Sequence, residues 1–186
     1  MDTNKIDAYS MIPGVLMATY FICISPVGTW CTLLTYILMC LVSMRLHLKK
    51  NDPVCDESTM QRYFRHDILA QQLALCVLVS YSPLGSSMVL LLLPFTTIIA
   101  LSVIDIDMAV ETNMSVVTYL SCFINCILAS LAFDSTQRWR MMAEVLCTYI
   151  VFNIDKFYEK NKYTHGIFHI LVHHVTYTAW SLLGVV

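Results

Sequence analysis

Seven apolar stretches separated by short polar segments leave this chain few choices of fold other than a helical bundle in a bilayer. They fall at about residues 8–24, 30–47, from Asp67 to a break at 82–85, 88–104, 116–133, 139–153, and from Thr164 to the chain end. A helix needs about 20 residues to cross a hydrocarbon core. Seven crossings therefore use most of the 186 residues and leave a single transmembrane domain, 1–186. Mean hydropathy of +0.66, with 58% apolar and 13% charged residues, would expose more apolar surface than a soluble domain carries. The expected fold class is all-α, an integral membrane bundle of about seven transmembrane helices. Pro94 predicts a kink in the fourth segment. The stretch 139–153 is the weakest segment, and 49–65 reads as the longest loop.

Charge narrows the partners. A net charge of −2 gives no basic surface for nucleic acid, so lipids or other membrane proteins are the expected partners. Residues 1–7 carry two acids and one lysine, which is not the basic start of a cleavable signal, so the first span is expected to stay. Seven of the eight cysteines lie in or beside apolar stretches, and only Cys55 is in a polar one, so there is no disulfide framework. Segments two and seven are flanked on one face by Lys49, Lys50, Arg62, Arg65, Lys156, Lys160 and Lys162, against Arg138 and Arg140 on the other. The positive-inside rule then places that face in the cytoplasm of a multi-pass membrane protein.

Against so apolar a background the ionisable residues are informative, because a charge at membrane depth is expensive. In His165-Gly-Ile-Phe-His169 the two imidazoles lie four residues apart. On a helix that is about 40° and about 6 Å, so both rings face one centre. Ser43 and His47 have the same spacing at the end of segment two, which puts Ser43 one turn deeper. If segment two ends on one face, segments three and seven both begin there, and His47, Asp67, His165 and His169 share a depth. Three imidazoles from two helices with a fourth position open is the pattern of a catalytic zinc site. Asp67, at the start of segment three, is then placed to orient a water or take its proton.

Each residue also has a plainer reading. The histidines suit a wetted helix end, Ser43 suits a bond back to a helix carbonyl, and Asp67 suits a helix amino terminus. Their conjunction favours the metal. His173 continues the stripe two turns below His165, as a cavity residue or a support for the ligands, whereas His174 points about 100° away and reads as packing or lipid-edge. His66 reads as loop. Gln71, Gln72, Asn125 and Glu144 are expected to face the interior and bond between helices. A di-iron site needs more histidines than the six present. A serine-hydrolase triad of Ser43, His47 and Asp67 leaves His165 and His169 unexplained.

Ser43-x-x-x-His47, then Phe64-Arg65-His66-Asp67-Ile68-Leu69, then His165-x-x-x-His169 resembles the signature of the CREST superfamily of seven-helix hydrolases. That superfamily includes alkaline ceramidases, adiponectin receptors and Myomaker-like proteins, and the Arg65–Leu69 stretch is most similar to the Myomaker branch. The resemblance implies a zinc ion (Zn2+) held by His47, His165 and His169, with Asp67 and Ser43 as catalytic residues around the water it activates. It implies hydrolysis of an amide or ester bond in a lipid, ceramide-like or glycerophospholipid. The alternative it carries is a non-enzymatic fusion or membrane-remodelling protein, or a receptor, with a structural zinc.

Overall fold

The computed structural model describes residues 3–50, 55–104, 111–157 and 163–186, which are helical almost throughout and contain no strand. The first apolar segment forms α1 (Thr3–Tyr9) and α2 (Ile12–Ile24). The others form α3 (Trp30–Lys49), α4 (Glu57–Ser80), α5 (Gly85–Ile104), α6 (Glu111–Ala129), α7 (Ser135–Phe157) and α8 (Thr164–Leu182).

Local chemistry sets the ends. Pro13 has no N–H to return to the preceding turn, so the chain closes α1 through Ser10 N to Ile6 O (2.9 Å) and restarts as α2 with proline in its first turn. Asp56 caps α4, accepting from the Thr59 amide at 2.7 Å. Hydrogen bonds from Thr59 and Ser58 hold the Asp56 carboxyl below its ordinary value of 3.8. α8 ends at Gly184, whose φ of +66° lets Val185 N reach back to Trp180 O at 2.8 Å. This is a Schellman turn, and its apolar clasp is Val185 against Trp180, both buried.

Helices adjacent in sequence pack together: α2 with α3, α3 with α4, α4 with α5, α5 with α6, α6 with α7, and α7 with α8. α8 closes the ring against α1 and α2. Short connections make successive helices antiparallel, which brings the end of α3 and the start of α8 to one end of the bundle. One core cluster joins α2, α3, α4 and α8 through Ala18, Leu33, Tyr36, Ala74 and Trp180. A second joins α4 to α8 at the opposite end through Val79, Leu92, Phe133, Met141 and Ala179.

Four expectations are corrected. The stretch 49–65 is not a long loop: α4 starts at Glu57, because the Asp56 cap and an amphipathic first turn extend the helix well beyond its apolar part. Asp67 therefore lies in the third turn of α4 rather than at its start, beyond the reach of a helix-terminus effect, which fades within one turn. His66 is helical and exposed, not in a loop. The weak sixth segment is a full helix of 23 residues. α5 runs on through Pro94. The acidic stretch expected between segments four and five lies, at 105–110, outside the described residues. Among the described residues, Lys5–Ile24 and Val27–Lys49 are long and apolar enough to cross a membrane, and Gly85–Pro94 and Leu120–Ala132 are shorter apolar helical pieces.

Candidate metal centre

His47 is in the last turn of α3, and His165 and His169 are in the first turns of α8. The antiparallel ring turns these two helix ends toward each other, and one nitrogen from each of the three histidines lies within 4.8 Å of the others. His165 Nε2 and His47 Nε2 are 3.4 Å apart. Ring centroids are 4.9, 5.0 and 4.6 Å apart for His47–His165, His47–His169 and His165–His169. Two ligands at Zn–N distances of about 2.0–2.1 Å in a tetrahedron stand about 3.3 Å apart, so the His47–His165 pair already has the spacing of a chelate. His47 and His169 are buried, and Phe152 and Phe168 stand beside His165.

The donor chemistry fits a metal ion. His169 Nδ1 contacts Ser10 Oγ at 2.7 Å and the Asp7 carbonyl at 3.2 Å, which leaves Nε2 as its remaining ligand atom. His47 Nδ1 is buried with no hydrogen-bond partner among the described residues, so that ring is tied to nothing that competes for the Nε2 facing His165. A cluster of three imidazoles at a helix junction is a poor packing element and a good cation site.

Asp67, on α4, lines the same cavity as the histidines. Gln71 Nε2 donates to its Oδ2 at 3.0 Å, and its other oxygen is buried with no hydrogen-bond partner among the described residues. Ser43 lies against this carboxyl from α3. Ser43, His47, Asp67, His165 and His169 all line one cavity of about 700 Å³. Beyond this polar end its wall is largely apolar and includes Leu75, Leu78, Val79, Phe133, Met141 and Val175, with Trp180 across from them. From Asp67 to Val79 the wall follows α4 for about 18 Å at 1.5 Å per residue. Lys50, Gln61 and Arg65 also line the cavity, near its polar end.

The structure therefore brings together all five residues singled out in the sequence. It separates the rest. His173 is fully engaged, with Nε2 donating to the Ser10 carbonyl at 2.8 Å and Nδ1 accepting from the Tyr36 hydroxyl at 2.5 Å. His174 is exposed, 3.9 Å from Glu144, which also accepts from Arg140 Nε at 2.9 Å. Glu144 is thus half-buried, with one carboxylate oxygen turned inward and the other paired with the exposed Arg140. Gln72 and Asn125 do bond between helices: Asn125 Nδ2 donates to Gln72 Oε1 at 2.8 Å and to Thr96 at 3.1 Å. Gln71, expected to bond between helices, donates instead to Asp67 of its own helix. Sequence reasoning missed Asp7, Ser10 and Tyr36. The signal for Ser10 was Pro13, which forces the helix to break where α8 leans on it.

In comparisons with known proteins, the chain matches no family model, no curated protein and no solved structure.

Proposed function

We propose that this protein is a zinc-dependent membrane hydrolase that cleaves an amide or ester acyl bond in a lipid. The observation that carries the reading is the position of the three histidines. They stand with Asp67 and Ser43 at the polar end of a cavity whose remaining length is apolar. The order of the histidine, serine and aspartate motifs, which resembles the CREST superfamily, supports the same reaction.

Zinc held by three imidazoles with one position open polarises a carbonyl oxygen and brings the pKa of water down to about 7. His47, His165 and His169 would hold it, and the chain supplies the rest. The apolar wall takes the acyl chain and keeps bulk water from the reacting carbonyl. The unpartnered oxygen of Asp67 accepts the proton of the attacking water and returns it to the departing amine or alkoxide as the acyl C–N or C–O bond breaks. Gln71 holds the other oxygen and so fixes the carboxylate plane, and Ser43 flanks it.

A membrane setting supports a lipid substrate. Large apolar side chains are exposed around the bundle, among them Leu16, Tyr20 and Ile24 on α2, Leu90 and Leu93 on α5 and Ile170 on α8. So many exposed apolar side chains suit a bilayer better than water. The basic residues flanking the site end favour a cytoplasmic side for it.

The test is turnover of a panel of ceramide-type amides and glycerophospholipid esters by detergent-purified protein, read by mass spectrometry of the released acids. Zinc-loaded wild type turns over at least one class, zinc-stripped protein does not, and Asp67→Asn, still folded and zinc-loaded, loses about 10²–10⁴-fold. A folded, zinc-loaded wild type inert to the whole panel overturns the hydrolase and favours a fusion or receptor role in which the cavity only holds lipid.

A further inference from the structure

We infer that Ser10, at the break between α1 and α2, is a positioning residue for the metal centre. Together with the Asp7 carbonyl it fixes His169 as the Nδ1–H tautomer and so reserves Nε2 for the ion. The inference rests on reading the histidine cluster as a metal site.

The hydrogen count is what forces this. Ser10 Oγ donates its single hydrogen to the Asp7 carbonyl at 2.6 Å. The same Ser10 Oγ lies 2.7 Å from His169 Nδ1, and the same Asp7 carbonyl lies 3.2 Å from it. A carbonyl only accepts, and a hydroxyl whose hydrogen is already committed only accepts. Both neighbours of Nδ1 therefore ask it for a hydrogen, and a neutral ring that carries its hydrogen on Nδ1 has its lone pair on Nε2. A metal-ligating histidine is commonly oriented by such a bond from its other nitrogen, and losing that partner typically weakens metal binding 10–100-fold.

The start of α8 packs against the segment that carries Ser10. Gly166, one turn before His169 on α8, faces α1: a Cβ there would lie 3.5 Å from Ile6 Cγ2, 3.8 Å from Ser10 Cβ and 3.9 Å from Asp7 Oδ1. One turn after His169, His173 donates to the Ser10 carbonyl at 2.8 Å. The two histidines thus take Ser10 by its side chain and by its backbone. The helix break makes this arrangement available, because within a continuous helix the Ser10 carbonyl would be taken by the amide four residues on.

The experiment compares wild type, Ser10→Ala and Ser10→Thr as full chains in detergent. Zinc affinity is measured by competition with a chromophoric chelator, the ligand field by absorption of the cobalt-loaded forms, and the fold by circular dichroism. Ser10→Ala is expected to bind zinc 10–100-fold more weakly with its helix content intact, and Ser10→Thr, which keeps the oxygen, to stay near wild type. Nitrogen NMR of metal-free wild type labelled at histidine is expected to show His169 protonated at Nδ1, a readout that does not depend on any variant folding. Zinc affinity unchanged in Ser10→Ala, or His169 protonated at Nε2, overturns the inference and leaves the metal centre standing. Wild type that binds no zinc overturns both.

Discussion

Replacing Gly14 with alanine would drive a methyl group into space already filled by His173 and Cys40. The new Cβ would lie 2.5 Å from His173 Cε1, 2.7 Å from His173 Nδ1 and 2.9 Å from Cys40 Sγ. Carbon atoms in ordinary contact stand about 3.5–4.0 Å apart, so the imidazole has to retreat by about 1 Å. It has nowhere to go without loss, since Nε2 is bound to the Ser10 carbonyl at 2.8 Å, Nδ1 takes the Tyr36 hydroxyl at 2.5 Å, and Cys40 behind is fully buried. Overpacking costs about 1–3 kcal/mol, and a buried polar group stripped of its partner costs about 1–3 kcal/mol. Helix propensity works the other way, favouring alanine over glycine by up to about 1 kcal/mol. The net expectation is a loss of about 2–4 kcal/mol, given that both penalties arise from one ring shift and add only in part. Denaturant unfolding in micelles, followed by circular dichroism, measures it. The double variant with His173→Ala should lose at least about 1 kcal/mol less than the sum of the singles, since alanine at 173 clears the space. Zinc affinity should fall in Gly14→Ala too, because Ser10 is one turn away on the displaced segment. Gly14→Ala equal to or more stable than wild type would refute the reasoning: propensity alone would then govern the position, and α2 and α8 would not approach as closely as described.

Two further outcomes follow from the same geometry. Tyr36→Phe removes the hydroxyl from a buried acceptor, His173 Nδ1, and should lower stability by about 1–3 kcal/mol while leaving zinc stoichiometry unchanged. Unfolding curves beside metal analysis check it, and loss of zinc at full stability would make His173 a ligand. The cap of α4 should be acid-sensitive. Because the Asp56 carboxyl sits below its ordinary value of 3.8 when folded, its contribution is present above that value and is lost as pH falls beneath it. Titrating the Thr59 amide by NMR should show this step in wild type and not in Asp56→Asn, which caps without titrating; a step that persists in Asp56→Asn would assign it to another group.

The fold was legible where apolarity and helix coincide, and was misread where they part. Segments 30–47 and 88–104 became α3 and α5 with little change because burial and helix cover the same residues there. At α4 they diverge. Residues 57–66 are mostly polar, so a hydropathy reading ends the segment near Asp67. A helix, however, needs its backbone bonded and its first turn capped, not an apolar sequence, and Asp56 supplies the cap. The same confusion of polarity with loop made α7 look short. Its start, Ser135-Thr-Gln-Arg-Trp-Arg140, is polar and helical at once. The error at α4 bears on the site, since it changed what Asp67 is. A carboxylate at a helix start has a sufficient explanation in the helix dipole, whereas one in the third turn with an oxygen buried and unpartnered does not.

The histidine stripe shows the deeper limit on spacing. His165, His169 and His173 repeat every four residues on one face of α8, and periodicity alone treats them alike. What separates them is the number of lone pairs left after each ring's neighbours are satisfied, which is decided across an interface with residues more than 130 positions away in the chain. His173 donates from one nitrogen and accepts at the other, so it has nothing to offer an ion. His169 meets two acceptors at a single nitrogen and keeps a lone pair at the other. The distinction between a structural histidine and a ligand thus lies in a helix break at Ser10 and in the hydroxyl of Tyr36. Neither residue carries metal chemistry of its own, which is why a search for metal-binding residue types passes over both.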